Sequence, residues 1–215
     1  MSTPEQPSYR LRASYHGALL GGFAMLAAAL LILGNISTRD AIAERQKEDV
    51  LASLSQVLPD KLHDNDLLAN TFSLDGPDHK PLTVYQSRKD NKVNAVAYTV
   101  TAQGYAGDIK VLMSVKKNGE IAGVRILSHA ETPGLGDKIE LAKSRWVLRF
   151  NGRSFANLPE SKWKVKKDGG VFDQFSGATI TPRGVVKAVK TGLDFFAQHK
   201  DELLHAGTEK TAQEK

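Results

Sequence analysis

The chain contains no cysteine among its 215 residues. This absence excludes thiolate nucleophiles, disulfide bonds, cysteine-ligated iron–sulfur clusters and thioether-attached haem as chemistry of the chain itself. The six histidines show no zinc-type pairing in the sequence, so we expect no protein-held metal. A Gly-x-Ser-x-Gly elbow is also missing, which argues against a serine hydrolase. A redox function would therefore need a cofactor that the chain binds.

The excess of positive charge is small and dispersed. The net charge is +5, but lysines and arginines alternate with acidic residues almost everywhere. The one basic cluster, residues 162–167, alternates with apolar residues and predicts a strand with one solvated face. We therefore expect no nucleic-acid partner.

One long apolar run stands near the N-terminus. Residues 17–36 carry no charge and reach the roughly 20 residues that a helix needs to cross a bilayer. A cleaved signal peptide is the alternative, but the run is long for its apolar region and a good cleavage context is missing. We predict an uncleaved, single-pass anchor. Basic residues flank the run on both sides in similar number, so charge does not decide its orientation.

The remaining chain divides into a helix, a folded domain and a tail. Ser37-Thr38 offers a helix N-cap and Pro59 a stop, which predicts a juxtamembrane helix that continues from the span. The predicted boundaries are an N-terminal segment 1–16, a span 17–36, a juxtamembrane helix 37–60, a folded domain 61–204 and a flexible polar tail 205–215.

Alternating and β-branched runs predict an antiparallel sheet in the folded domain. The predicted strands are residues 82–85, 93–101, 108–116 and 120–128. Asn118-Gly119 predicts a hairpin with a type I′ turn between the last two strands, and the sheet then forms a meander. After it, Asp137 is a candidate N-cap for a short helix over residues 139–144. With helices packed on the sheet, the fold class is α+β.

The last helix of the domain has a characteristic start. Thr181-Pro182 predicts an N-cap followed by proline at the first helical position, and apolar residues recur at helical spacing to about Leu204. Ser176-Gly177-Ala178-Thr179 lies directly before this start, where unpaired N–H groups and the helix dipole favour a phosphate. These arguments leave two interpretations open, a phosphate site or an ordinary capped turn.

Two glycine-bearing loops carry further candidate site residues. His129-Ala130-Glu131-Thr132-Pro133-Gly134-Leu135-Gly136 follows the last strand and combines a stiff turn with a histidine, a carboxylate and a hydroxyl. Residues 103–107, with Tyr105 between two glycines, predict a tight loop or a close approach of the backbone to a ligand. A plain turn with Tyr105 packed on the core is equally compatible with the composition.

These motifs together resemble those of the FMN-binding domain family. Ser-Gly-Ala-Thr at 176–179 is similar to the family's flavinylation motif, in which a threonine hydroxyl is esterified to the FMN phosphate. Residues 129–136 resemble the family's loop near the flavin. The N-terminal span, the helix end at Pro59, the 104–107 loop and the chain length are similar to the G subunit of Rnf-type electron transport complexes, called Rsx in some bacteria.

The resemblance implies that FMN is joined to Thr179 through a phosphoester, a phosphothreonine-type linkage. It implies that residues 61–204 are the FMN-binding domain and that no residue of the chain is catalytic. The other residues of the implied cofactor site are Ser176, Gly177 and Ala178 at the phosphate, with His129, Glu131, Thr132, Pro133, Gly134, Leu135, Gly136 and Tyr105 near the flavin.

By the same resemblance, the chain is an electron-carrier subunit without independent turnover. The complex would couple electron transfer between ferredoxin and NAD to ion translocation. Its partners would be the other membrane and peripheral subunits, and a flavin transferase that takes FMN from FAD. The anchor would lie in the inner membrane, with the N-terminal segment 1–16 in the cytoplasm and the C-terminal domain on the periplasmic side. The alternatives are the C subunit of a sodium-pumping NADH:quinone reductase, whose chains are generally longer, and a non-redox, membrane-anchored binding or assembly protein.

Overall fold

A computed structural model describes residues 13–205 of the chain. The first twelve residues of the predicted N-terminal segment 1–16, and residues 206–215 of the predicted tail, lie outside the described residues. The described elements are helices α1 (Ala13–Val57), α2 (Ile180–Gln198) and α3 (Lys200–His205), with strands β1 (Thr71–Asp75), β2 (Pro81–Lys89), β3 (Lys92–Gln103), β4 (Asp108–Lys116) and β5 (Ile121–Ser128). Short 3-10 turns lie between β5 and α2.

The described residues up to Asp49 form one compact unit, and the described residues from Val50 onward form another. The first unit is helical throughout its described part, its apolar side chains are exposed, and α1 is long and apolar enough to span a membrane. The predicted N-cap at Ser37-Thr38 is wrong, because the helix is continuous there and the Thr38 hydroxyl donates to the carbonyl of Gly34 at 2.8 Å. The predicted stop is correct, since α1 ends two residues before Pro59.

The second unit is built on a five-stranded antiparallel meander in the order β1-β2-β3-β4-β5. The sequence predicted the last four strands, although β2 and β3 extend beyond their predicted ends. Strand β1 was missed, because its five residues alternate only between exposed and half-buried positions and carry a weak hydrophobic signal. The fold class predicted from the sequence, α+β with an N-terminal apolar helix, is confirmed.

One hairpin turn differs from the prediction, and a second was not predicted. Asn118 has a negative φ, whereas Gly119 has φ +86°, so the β4–β5 turn is not type I′. The N–H of Gly119 donates to the carbonyl of Lys116 at 2.8 Å, as in a three-residue hairpin that ends in a left-handed glycine. The pair of positive φ angles required by type I′ occurs instead at Asp90 and Asn91, between β2 and β3.

Both faces of the sheet are covered. On one face, Val96, Tyr98 and Val100 of β3 pack in the main core with the apolar side of α2. On the other face, Leu54 and Val57 of α1 pack in a second cluster together with alanines of β3. Because a fully buried leucine or valine stabilises a fold by about 2 kcal/mol, these two side chains join the end of α1 to the folded unit. The folded unit therefore takes in the last residues of α1, which lie within the predicted juxtamembrane segment 37–60.

The segment between β5 and α2 folds around an aromatic cluster. Trp146, Phe150, Trp163 and Phe172 are buried, and the rings of Phe150 and Phe172 stack with centroids 4.6 Å apart. The predicted strand over residues 162–167 is wrong, because 3-10 turns occupy much of it, although its lysines are exposed as expected. The predicted helix over 139–144 is also wrong. A 3-10 turn at Asp137–Ile139 ends where that helix was expected to begin, and the residue at its N-cap position is Gly136 instead of Asp137.

Candidate cofactor site

A cavity of about 490 Å³ brings three segments of the chain together. We call it the cofactor cavity. Its lining comes from the loop after β3, the loop after β5 and the start of α2: Tyr105, Glu131, Thr132, Leu135, Gly136, Gly177, Ala178, Thr179, Ile180 and Thr181. Eight of the twelve site residues implied by the resemblance therefore share one cavity, although they are separated in sequence by up to 74 positions.

The Ser176–Thr179 corner joins a tight turn to a helix. The N–H of Ala178 donates to the carbonyl of Phe175 at 3.2 Å, and Gly177 takes φ +80° inside this turn. Helix α2 begins at Ile180, with Thr179 at the N-cap position. The side chain of Thr179 makes no capping hydrogen bond, so its hydroxyl is not engaged by the helix that it precedes.

The predicted N-cap, Thr181, has a different role. The helix begins before it, so Thr181 lies in the first turn of α2 with Pro182 beside it. Proline is tolerated there because the first N–H groups of a helix have no intrahelical partner. The Thr181 side chain is fully buried, and its hydroxyl donates to Oε2 of Glu131. The Thr181 side chain therefore binds a carboxylate from another loop instead of capping α2.

The loop after β5 forms a turn whose far side reaches the cofactor cavity. The N–H of Leu135 donates to the carbonyl of Thr132 at 3.1 Å, with Pro133 and Gly134 at the two central positions. Thr132, Leu135 and Gly136 line the cavity. Pro133 and Gly134 shape this turn and are not among the residues that line the cavity.

The loop after β3 is held against the same site by Glu131. Oε1 of this carboxylate accepts the N–H of Tyr105 at 2.8 Å and the N–H of Ala106 at 3.0 Å. The Tyr105 side chain is 74% exposed at the cavity, so the alternative in which it packs on the core is wrong. Leu135 and Ile180 are also large apolar side chains of this cavity with more than two fifths of their surface exposed.

His129 lies outside the cofactor cavity. It lines a separate cavity of about 440 Å³, which we call the second cavity, together with Gln56, Arg125 and Glu140. Its Nδ1 accepts the N–H of Glu131 at 3.0 Å, which leaves the hydrogen on Nε2 to be donated to Oε1 of Glu140 at 2.6 Å. Ser176 is exposed at the turn and is likewise outside the cofactor-cavity lining.

A larger cavity of about 760 Å³ lies between α2 and the strands, and shares only Ile180 with the cofactor cavity. It contains none of the predicted site residues, all of which lie in the described part of the chain. Arg183 lines it and is already engaged, because Nε and Nη2 each donate to Asp168 at 2.6 Å. The hydrogen bond from Arg183 holds the pKa of the Asp168 carboxyl below its usual value.

Sequence reasoning missed Ile180 and Thr181 as residues of the cofactor cavity. Both follow Thr179 directly, and a phosphate at a helix N-terminus necessarily approaches the first helical residues. The missed signal was therefore the position of the helix start itself. Placing the start at Thr181-Pro182 made Thr181 a cap and left Ile180 outside the helix, so neither was assigned to the site.

The cavity residues fit FMN by chemistry as well as by size. A volume of about 490 Å³ is in the ordinary range for a small-molecule site. Exposed apolar side chains suit the flat ring of a flavin, and the unengaged Thr179 hydroxyl at the start of α2 suits its phosphate. Among residues 13–205, no group of three or more histidine, aspartate or glutamate side chains is placed to hold a metal ion.

Comparisons with known proteins agree with this site. The FMN-binding domain family matches residues 104–194, and the RnfG N-terminal region matches residues 11–57. The G subunit of the ion-translocating oxidoreductase complex of Cereibacter sphaeroides is 51% identical over 188 residues, which cover 87% of this chain and 86% of that protein. The corresponding G subunit of Stutzerimonas stutzeri is 45% identical over 191 residues, 89% of this chain and 84% of that protein.

Among solved structures, the crystal structure of Shewanella oneidensis NqrC is similar to this chain, with a TM-score of 0.46 and 22% sequence identity. The similarity covers 66% of this chain and 72% of the NqrC chain. The predicted relationship to the G subunits is confirmed by the sequence identities, which extend over more than four fifths of both chains. The chain belongs to the family of G subunits of the ion-translocating oxidoreductase complex.

Proposed function

We propose that this chain is a membrane-anchored flavoprotein subunit that carries FMN on Thr179 and relays electrons within an ion-translocating oxidoreductase complex. The observation that carries the proposal is the cofactor cavity, in which an unengaged threonine hydroxyl stands at a helix N-terminus opposite an exposed apolar rim. The FMN-binding domain match covers all the segments that form this cavity. When bound, FMN supplies the redox chemistry, and the protein positions it and adjusts its potential.

The geometry distinguishes Thr179 from the other threonines of the cavity. Thr181 is fully buried and its hydroxyl is already donated to Glu131. Thr132 is exposed, but it lies on a turn rather than at the start of a helix. Thr179 combines partial exposure, a hydroxyl without a capping bond and a position at the N-terminus of a 19-residue helix. It is the residue of the three best suited to carry a phosphodiester.

The start of α2 would stabilise the charge of that phosphodiester. The diester keeps one negative charge, which the positive end of the helix dipole favours. Ile180 and Thr181 present backbone N–H groups that need no intrahelical partner, whereas Pro182 has none. We propose that these donors hold the phosphate. We also propose that Tyr105, Leu135 and Ile180 cover the flavin ring and thereby lose exposed apolar surface.

Attachment would require a separate enzyme. In the proposed reaction, the Thr179 oxygen displaces AMP from the FMN phosphorus of FAD, the hydroxyl proton is released, and FMN stays on the chain. The FMN-binding domain match supports a flavin transferase as the partner for maturation, and the G-subunit relatives support the other subunits of the complex as partners for electron entry and exit.

The proposed location is the inner membrane, with one span within α1 and the folded domain on the periplasmic side. The exposed apolar residues of α1 support the span. The proposed domain boundaries are those predicted from the sequence, with the packing of α1 from Val50 onward added to the folded domain. A periplasm-specific reporter fused to the C-terminus should be active, and an active cytoplasmic reporter would contradict this placement.

The attachment is tested by fluorescence of the chain in a denaturing gel after production together with a flavin transferase. The wild-type band should fluoresce, because a covalent flavin survives denaturation, and Thr179→Ala should lose the band. Thr132→Ala is the matched control, since it removes an exposed threonine of the same cavity and should keep the fluorescence. A wild-type band without fluorescence would favour a non-redox binding or assembly protein instead.

A further inference from the structure

Glu131 joins all three segments of the cofactor cavity. Oε1 accepts two backbone N–H groups, from Tyr105 at 2.8 Å and Ala106 at 3.0 Å. Oε2 accepts the hydroxyl of Thr181 from the first turn of α2. Both oxygens act as acceptors, which is the hydrogen-bond pattern of a carboxylate. One side chain therefore connects the loop after β5 to partners 26 and 50 positions away in the sequence.

The surrounding backbone closes tightly on this carboxylate. A Cβ atom on Gly104 would overlap Oε1, and a Cβ atom on Gly136 would lie 2.8 Å from Oε2. Both distances are shorter than real Cβ contacts. The carboxylate therefore occupies part of the space that a side chain at either glycine would need. The Glu131 side chain is consequently held in one place, with only 5% of the residue exposed.

No cation in the described part of the chain compensates the charge of Glu131. Across residues 13–205, its oxygens make no ion pair with a lysine, arginine or histidine within 4.0 Å, and its three donors are neutral. The other glutamate beside this loop, Glu140, has a histidine partner and lies in the second cavity. A buried charge surrounded by neutral groups acts over a longer distance than one in water, because the local dielectric is low. Glu131 lines the cofactor cavity and presents this charge to it.

We propose that Glu131 lowers the redox potential of the FMN held in the cofactor cavity by presenting an uncompensated, immobile negative charge to it. This inference depends on the proposed function. Above neutral pH, FMN gains two electrons and one proton on full reduction, so the reduced form carries one more negative charge than the oxidised form. A fixed anion nearby raises the free energy of the reduced form and makes reduction harder. Glu131 itself makes and breaks no bond in this process.

The substitution Glu131→Gln separates charge from geometry. The amide oxygen of glutamine can still accept the N–H groups of Tyr105 and Ala106, and its amide nitrogen can donate to the Thr181 hydroxyl. The connection between the three segments is retained, whereas the negative charge is lost. In the flavinylated full-length chain, we expect a flavin content equal to wild type and a midpoint potential shifted upward in a spectroelectrochemical titration with dithionite as reductant.

Two further variants make the result specific. Glu140→Gln is the matched control, because it removes the same charge from the second cavity and should leave the potential at the wild-type value. Thr181→Val removes the hydroxyl that donates to Oε2 of Glu131, at nearly constant side-chain volume. Without this hydroxyl dipole, the negative charge of the carboxylate is less offset at the flavin. This variant should shift the potential downward, opposite to Glu131→Gln, and this opposite sign is not expected of a purely structural residue.

A flavinylated Glu131→Gln chain with the wild-type potential would overturn the inference, as would an equal upward shift in Glu140→Gln. If Glu131→Gln fails to take up flavin, Thr181→Val decides, because an unchanged or raised potential in that variant contradicts a role for the charge. A wild-type chain without covalent flavin would overturn the proposed function together with this inference. A flavinylated wild type with unresponsive variants would overturn the inference alone.

Discussion

The two cavities beside the loop after β5 differ in how their polar groups are used. His129 and Glu131 are two positions apart, yet His129 lines the second cavity and Glu131 lines the cofactor cavity. In the second cavity two pairs of polar side chains bind each other: His129 binds Glu140 at 2.6 Å, and Nε of Arg125 donates to Oε1 of Gln56 at 3.0 Å. Partial burial lowers the pKa of this arginine.

The cofactor cavity has the opposite character. It keeps the Thr179 hydroxyl without a capping bond, backbone donors at the start of a helix, and apolar side chains that remain exposed. Its one buried charge has no ion-pair partner among the described residues. A cavity whose polar groups are already paired gains little from a ligand, whereas one with unused groups and exposed apolar surface gains from both. This difference favours the cofactor cavity as the candidate site more clearly than size does, because a larger cavity lies elsewhere.

The strongest test of the comparison is Glu131→Ala, which removes the connection as well as the charge. It leaves the N–H groups of Tyr105 and Ala106 and the hydroxyl of Thr181 without their acceptor. We expect a loss of about 3 kcal/mol in the free energy of unfolding of the folded domain, measured by chemical denaturation. Flavin attachment should also fall sharply, because the loops no longer hold the cavity closed. A fully stable, fully flavinylated Glu131→Ala chain would contradict the structural part of this account.

The second prediction concerns His129, which the family resemblance implied near the flavin. In His129→Asn, the amide oxygen can accept the N–H of Glu131 in place of Nδ1, while the contact with Glu140 is lost. We expect a loss of about 1 kcal/mol in the free energy of unfolding, with flavin content and visible absorption unchanged. A change in the flavin absorption spectrum would indicate that His129 reaches the ring and that the two cavities are not independent.

The smallest effect is expected at Asp168, which pairs with Arg183 outside both cavities. The hydrogen bond from Arg183 lowers the pKa of Asp168 from 3.8 in the folded state, so the pair stabilises the fold above that pH. This contribution is lost as the pH falls through the lower, folded-state value. Asp168→Asn should therefore reduce stability slightly at neutral pH and weaken its acid dependence, measured by denaturation at several pH values. Flavin attachment should not change.

The sequence predicted the sheet and the main site segments because each depends on local chemistry. Asn118-Gly119 predicted a hairpin correctly, but the turn type depends on the register of the flanking strands, which the two residues do not determine. Asp90-Asn91 carried the same kind of signal and was missed, because the surrounding charged residues do not resemble strand ends. Strand β1 was missed for lack of a hydrophobic pattern.

The sequence could not assign the side chains of residues 129–136 to a cavity. Two neighbouring positions in an irregular loop can face any direction, so the separation of His129 from Glu131 required the folded structure. The predicted N-cap at Thr181 is wrong for a related reason. The Thr181 hydroxyl donates to Glu131, which lies 50 positions away in the sequence and could not be placed beside it from local patterns. Thr179, in contrast, is predicted by a motif whose chemistry is local, and the structure places it in the lining of the cofactor cavity.

Attachment of FMN to Thr179 is tested most directly by peptide mass spectrometry of the chain matured with a flavin transferase. Trypsin should release residues 168–183, which contain Ser176, Thr179 and Thr181, separately from residues 126–138, which contain Thr132. We predict that the first peptide gains the mass of FMN less one water, and that fragmentation assigns this mass to Thr179. FMN on the peptide with Thr132, on Ser176 or Thr181, or on neither peptide, would contradict attachment at Thr179.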